Sequence, residues 1–148
     1  MTTQPKFHGV KPDTGLFDLS TWPIVFVRFP ELDEERRSER VLDGLDRLID
    51  QERRFVVIWV PPSHAHESEP HADERRASLW IKRRRDDLGR HCAGYIYLTS
   101  EPALRSKLTK TLPKTDKIFP FPKFLVESRQ EAAERAKKLL SGEEDGNS

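Results

Sequence analysis

The sequence predicts an α/β fold: a single domain with a four- to five-stranded, mostly parallel or mixed sheet and about four helices. The central observation is the run Phe55–Val60, which is apolar, rich in β-branched residues and followed by Pro61 and Pro62. Such a run is typical of a strand buried on both faces. It stands between two stretches of helical periodicity, Leu32–Gln51 and Ala72–His91. Alternation of strand and helix is typical of a parallel sheet.

The length of 148 residues suffices for one domain with one hydrophobic core. Residues 1–20 are predicted to form an irregular segment, apart from an edge strand within Gly15–Leu19. Residues 21–140 are predicted to form the α/β domain, and residues 141–148 a flexible tail.

The first strong strand and the first helix follow one another directly. Trp22–Phe29 has the composition of a strand and is ended by Pro30. In the helix that follows, apolar residues recur on one face; they are Leu32, Val41, Leu42, Leu45, Leu48 and Ile49. Gly44 within this helix lowers its propensity by about 1 kcal/mol relative to alanine. A close approach of the helix to the sheet would explain this glycine.

The second half of the chain repeats the alternation. The inner stripe of the second helix is Ala77, Trp80, Ile81 and Leu88. Cys92–Thr99 is the third strong strand, and Ser100 is predicted to cap a third helix with Leu104, Leu108 and Leu112 buried. Lys117–Val126 is strand-like but holds two prolines, which predicts a position at the sheet edge. Ser128 and Glu131 form a capping box that begins the last helix.

Composition limits the classes of partner. The net charge is +1, so the protein lacks the excess of positive charge that attracts nucleic acid. The sequence therefore argues against nucleic acid as a partner. The lone cysteine, Cys92, excludes an intramolecular disulfide and favours a reducing compartment. No apolar run approaches the roughly 20 residues that a membrane-spanning helix needs. We therefore expect a soluble, cytoplasmic protein; the sequence leaves its oligomeric state open.

Searches for catalytic motifs give negative results. The seven glycines are not clustered, so the chain has neither a phosphate-cradling loop nor a dinucleotide fingerprint. It also has no Gly-x-Ser-x-Gly elbow and no His-Glu-x-x-His helix. These results favour a protein that is not an enzyme and needs no cofactor.

The richest polar segment is the loop of residues 61–73, at the expected carboxyl edge of the sheet, where ligands of open α/β sheets bind. Imidazoles and carboxylates there would suit zinc or a similar divalent metal; the candidate ligands are His64, His66, Glu67 and His71. The alternative is a solvated loop. A further interpretation is that Ser63 or Ser68 accepts a phosphate near the next helix N-terminus.

Two other groups are candidates for binding. The second helix is strongly basic, with Arg75, Arg76 and Arg83 among its cations, and could contact an acidic protein or a small anionic ligand. The alternative is a solvated helix face. Tyr95 and Tyr97 project from the same face of their strand, and their hydroxyls need partners or a polar cavity. The three tryptophans are interpreted as core residues; they are Trp22, Trp59 and Trp80.

The order of elements resembles the STAS-like domains, the group named after sulfate transporters and anti-sigma-factor antagonists. Local similarities are a Trp-bearing helix followed by Cys92-Ala93-Gly94, and a strand followed by Ser-x-x-Glu-Ala from Val126 to Ala132. The resemblance implies a small α/β domain that binds a partner protein or ligand. Regulatory members carry an Asp-Ser-Gly-type phosphorylation site after the strand corresponding to Phe55–Val60. This chain has no such motif there, so no site residue is transferred.

Together these observations predict a non-catalytic STAS-like regulatory or adaptor module that binds a partner protein or a small anionic ligand. The expected binding residues are Ser63, His64, His66, Arg75, Arg76, Arg83, Tyr95 and Tyr97. The alternative is a metal-dependent enzyme, or a biosynthetic accessory protein, that uses the His/Glu-rich loop 61–73.

Overall fold

The computed structural model describes residues 6–61 and 71–142 and contains a five-stranded sheet with four α-helices. The α/β class and the numbers of strands and helices predicted from the sequence are therefore confirmed. In chain order the elements are β1 (Phe17–Asp18), β2 (Ile24–Arg28), α1 (Arg37–Ile49), β3 (Phe55–Val60), α2 (His71–His91), β4 (Cys92–Leu98), α3 (Pro102–Thr111), a 3₁₀ turn (Leu112–Thr115), β5 (Lys123–Val126) and α4 (Arg129–Ser141).

The strands lie in the sheet in the same order as in the chain, from β1 to β5. The edge strand β1 is antiparallel to β2, and all the other neighbouring pairs are parallel. The three parallel crossovers connect β2 to β3, β3 to β4 and β4 to β5, so each one leads to the neighbouring strand in the same direction across the sheet. Because such connections are right-handed, their helices lie on the same side of the sheet. Accordingly α1, α2 and α3 lie over one face, and α4 returns to cover the other.

Alternating residues of β3 separate two apolar cores. Phe55, Val57 and Trp59 face α1 and α2, whereas Val56 and Ile58 face α4. The first four residues of β3 have no solvent exposure. The central strand is therefore buried on both faces, as its composition predicts.

Gly44 of α1 lies against the ring of Phe17 in β1. A Cβ added at Gly44 would overlap three ring atoms of Phe17. The expected close approach of this helix to the sheet is therefore present, and it is formed with Phe17 of the edge strand β1.

Two predictions about helix ends were wrong. Leu32 was expected in the buried stripe of the first helix, but α1 begins at Arg37 and Leu32 is 51% exposed. The N-cap of α3 is Glu101, not Ser100, because the Glu101 carboxylate accepts hydrogen bonds from the N–H groups of Ala103 and Leu104. The capping box of α4 is present, since Ser128 Oγ accepts the N–H of Glu131 at 3.1 Å.

Candidate functional site

A cavity of about 340 Å³ lies between the sheet and the three crossover helices. It occupies the carboxyl ends of the parallel strands, since its lining includes Trp59 near the end of β3, Tyr97 near the end of β4, and Phe29 and Pro61 directly after their strands. Its volume falls within the roughly 300–1,000 Å³ that is typical of small-molecule sites.

The floor of the cavity is a row of aromatic rings on one face of the sheet. The ring of Trp59 lies 6.1 Å from Phe29 and 5.3 Å from Tyr95, measured between centroids. Tyr95 is in turn 5.4 Å from Phe119 and 6.4 Å from Tyr97. These offset and edge-to-face contacts fix the rings against one another and give the floor a defined shape.

The walls come from the apolar stripes of three helices. These are Val41, Leu42 and Leu45 of α1, Ala77, Trp80 and Ile81 of α2, and Leu104 and Leu108 of α3. Trp80 is held in place by α1, since its indole N–H donates to Asp46 Oδ1 at 3.0 Å. Whereas α1 and α2 lie side by side, α3 contacts β5 and the 3₁₀ turn. The space between α2 and α3 over β4 is what remains as the cavity.

The polar groups of this cavity are few. Among the described residues that line it, Lys107 of α3 is the one with a charged side chain. Tyr95 and Tyr97 contribute phenol rings, and burial raises the pKa of both hydroxyls above the ordinary value of 10. Both phenols are therefore neutral at physiological pH and can donate a hydrogen bond. The described lining contains a cation and neutral donors and no carboxylate.

The indole N–H of Trp59 has no hydrogen-bond partner among the described residues, although the atom is buried. Trp59 as a whole is 9% exposed and lies in the cavity floor. A buried donor without an acceptor is unfavourable by about 1–3 kcal/mol. The aromatic floor of the cavity therefore contains one buried donor that has no acceptor among the described residues.

A polar cluster fixes the rim beside Phe29. Arg37 of α1 is 7% exposed, and its guanidinium donates to Asp73 of α2 at 2.6 Å and to the carbonyl of Glu31 at 2.7 Å. It also lies 5.8 Å from the Phe29 ring centre. Ser38 donates to Asp73 at 2.9 Å, so two residues of α1 hold the start of α2. This cluster joins the helices that form two of the cavity walls.

The structure places the predicted binding residues on different surfaces. Tyr95 and Tyr97 line the cavity. Arg75, Arg76 and Arg83 are exposed on α2 and are absent from the cavity lining. Arg76 lies at the polar cluster, where its guanidinium donates to Ser38 Oγ at 2.7 Å. Three other predicted residues lie outside the described residues: Ser63, His64 and His66.

The predicted metal site falls largely outside the described residues. His71 is the first residue of α2 and is exposed, whereas His64, His66 and Glu67 belong to the part that is not described. Within residues 6–61 and 71–142, no three His, Cys, Asp or Glu side chains come together as metal ligands. The zinc hypothesis for loop 61–73 remains a prediction.

Within residues 6–61 and 71–142, no helix has the length and apolarity needed to cross a bilayer.

Sequence reasoning missed several residues of the cavity. It did not single out Lys107 as a binding residue, and it interpreted Trp59 and Trp80 as core residues. Both tryptophans are buried, as a core position requires, but each also lines the cavity. The available signal was the spacing of Leu104, Lys107 and Leu108, which puts a lysine on the apolar face of a helix.

Comparison of the chain with protein-family models, with curated proteins and with solved structures found no match.

Proposed function

We propose that this protein is a non-catalytic STAS-like module that binds a small anionic ligand with an apolar body in the cavity over β3 and β4. The observation that carries the proposal is the make-up of the cavity lining, in which Lys107 is the charged group among mostly apolar and aromatic side chains of the described residues. An aromatic or branched aliphatic carboxylate combines the apolar surface and the negative charge that such a lining complements. The STAS-like part rests on the order of elements along the chain.

The absence of catalysis is proposed from the chemistry of the lining. General acid–base catalysis is most effective when the pKa of the group lies near the working pH. Burial moves the pKa of Tyr95 and Tyr97 further from neutrality. Cys92 is buried, and its pKa is raised to about 12, which disfavours a thiolate nucleophile. A binding role fits these groups better than a reactive one.

A cytoplasmic location is part of the proposal. Cys92 is a free, buried thiol and is the sole cysteine of the chain. Disulfides are typical of oxidising compartments, so a chain that cannot form one within itself fits a reducing compartment.

The test is isothermal titration calorimetry with a panel of monocyclic and bicyclic aromatic carboxylates, each paired with its neutral amide. We expect carboxylates that fit the cavity to bind about tenfold more tightly than their amides at low salt, which corresponds to about 1.4 kcal/mol. Lys107→Gln should remove this preference, and Lys110→Gln, on the same helix outside the lining, should preserve it.

A second pair of variants tests the location of the site. Leu108→Trp should fill the cavity and abolish binding, because the side chain of Leu108 lines it. Leu79→Trp makes the same change at an exposed position of α2 and should leave binding intact. Failure of the whole panel to bind, or binding that survives Leu108→Trp, would contradict the proposal.

A further inference from the structure

An exposed leucine on α2 is surrounded by positive charge. Leu79 is 53% exposed. Arg75 and Arg76 precede it by four and three residues, and Lys82 and Arg83 follow it by three and four. Residues at these spacings are neighbours on a helix surface. All four cations are exposed. We call the surface formed by these four residues and Leu79 the α2 basic face.

Most of the charge on the α2 basic face is not neutralised by the described part of the chain. Arg76 has acidic neighbours, Glu39 and Asp73, each 3.5 Å from its guanidinium. Among the described residues, Arg75, Lys82 and Arg83 have no ion pair or side-chain hydrogen bond. Asp86 follows Arg83 by three residues and Lys82 by four, so it is their neighbour at the end of this face, but it forms no ion pair with either of them.

The α2 basic face is separate from the cavity. The cavity side of α2 is formed by Ala77, Trp80 and Ile81. Leu79 is two residues from both Ala77 and Ile81, which corresponds to about 200° around the helix axis. A partner on this face would therefore leave the cavity lining untouched, and the two sites can be tested independently.

We propose that the α2 basic face docks an acidic surface of a partner protein, with Leu79 packed against an apolar side chain of that partner. An apolar centre within a charged rim is the usual arrangement of a protein–protein interface, and arginine is enriched there. Phosphate groups offer no apolar surface to an exposed leucine, and the net charge of +1 lacks the excess typical of nucleic-acid binders. Complementary charge would speed association and make the complex sensitive to salt.

The test is site-specific photo-crosslinking in cells of the native host. The photoreactive residue p-benzoylphenylalanine replaces Leu79 in one variant and Ile118, which is 46% exposed and outside the face, in the control. We expect a discrete protein adduct from position 79 that position 118 does not give. Mass spectrometry should place the adduct in a partner segment rich in Asp and Glu.

Charge variants decide whether the basic face itself directs the contact. Arg75→Glu with Arg83→Glu should lower the adduct yield at least tenfold, and Arg75→Gln with Arg83→Gln should lower it by a smaller factor. The matched control, Lys110→Glu with Lys114→Glu, alters two exposed lysines elsewhere and should leave the yield unchanged. Circular dichroism melts of every variant verify that the fold is intact.

Several results would overturn the inference. One is the lack of an adduct at position 79 above the level at position 118. Others are an adduct with nucleic acid, with a second copy of this chain, or with a segment that has no acidic excess. A protein adduct whose yield is insensitive to both Arg75/Arg83 variants would overturn it as well.

Discussion

Among the described acidic residues, Glu34 is the one whose pKa the structure changes most clearly. Its carboxylate accepts two hydrogen bonds from Arg28, at 2.7 and 3.1 Å, and one from the N–H of Glu31 at 2.8 Å. These contacts, with the Arg28 hydrogen bond as the largest cause, lower the pKa of Glu34 from 4.5 to about 2. Because the folded-state pKa is below the ordinary value, the contribution of Glu34 to stability is complete above about pH 4.5. It is lost as the pH falls through 2.

This titration predicts how Glu34→Gln changes stability with pH. The variant should unfold at a lower temperature than the wild type at pH 7, because a charged pair with Arg28 is replaced by a neutral amide. The difference should shrink between pH 4.5 and about 2, where the wild-type carboxylate becomes protonated. Thermal melts at a series of pH values measure it. Glu35→Gln, an adjacent change at an exposed residue, is the control, and a difference that stays constant with pH would contradict the assignment.

Gly44 shows how a residue can be explained only by a partner distant in the chain. Its place inside a helical pattern indicates a packing constraint, but the pattern does not identify the neighbour. The neighbour is Phe17, a residue of the two-residue edge strand β1. The sequence predicts an edge strand within Gly15–Leu19, but no local pattern indicates which helix residue this strand contacts, so the contact between Phe17 and Gly44 emerges only in the folded chain.

At the scale of elements, the Arg37–Asp73 ion pair holds α1 against α2. The side chain of Arg37 is 6% exposed and that of Asp73 is 20% exposed. The same guanidinium donates to the carbonyls of Glu31 and Pro30, at 2.7 and 3.2 Å. Neutralising Asp73 would remove the carboxylate that contacts Arg37 at 2.6 Å while the guanidinium stays buried, which is much less favourable than removing both charges.

We therefore expect Asp73→Asn to lower the free energy of unfolding by about 3 kcal/mol, near the lower end of the range for breaking a buried pair. The double variant Arg37→Met with Asp73→Leu should lose considerably less, since no charge is left without a partner. Urea unfolding followed by circular dichroism measures both values. Equal losses in the two variants would show that the ion pair itself is not what joins the helices.

The polar cluster also affects the candidate site at this scale. Phe29 follows β2 and lies beneath Arg37, and it is one of the rings that line the cavity. The contact between α1 and α2 therefore sets the position of two walls and one end of the cavity. Asp73→Asn should therefore weaken carboxylate binding together with stability.

At the scale of the whole molecule, the sheet order determines where a cavity can form. With the strands in the order β1 to β5, three crossover helices share one face while α4 covers the other. Ligand sites in open α/β sheets often lie where the strand order reverses, and this sheet has no such reversal. The site lies instead beneath the helices, in the space between α2 and α3.

Cys92 reports on the integrity of this arrangement. Its thiol is buried at the start of β4, and burial raises its pKa to about 12. We expect reaction with a disulfide reagent at pH 8 to be slower in the native protein than in guanidinium chloride by several orders of magnitude, because exposure requires the domain to open. A kinetic thiol assay across denaturant concentrations measures it, with Cys92→Ala as the blank. Rapid reaction of the folded protein would contradict the burial of Cys92.

Much of the fold could be predicted from the sequence because its signals are local. The apolar run Phe55–Val60 specified the central buried strand, and the stripe Ala77, Trp80 and Ile81 gave the inner side of α2. The capping box at Ser128 fixed the start of α4. Leu32 was misplaced because its spacing continued the helical pattern, although the chain turns there before α1 begins.

The sequence by itself thus determined the alternation of strands and helices and the inward faces of most of them, since periodicity and capping depend on near neighbours. Only the tertiary structure decided that Phe29, Tyr97 and Lys107 line one cavity while Arg75 and Arg83 face away from it. The physical reason is that a cavity is the space left when elements far apart in the chain pack around bulky rings. That space depends on the order of the strands and the spacing of the helices, and no local pattern of residues encodes it.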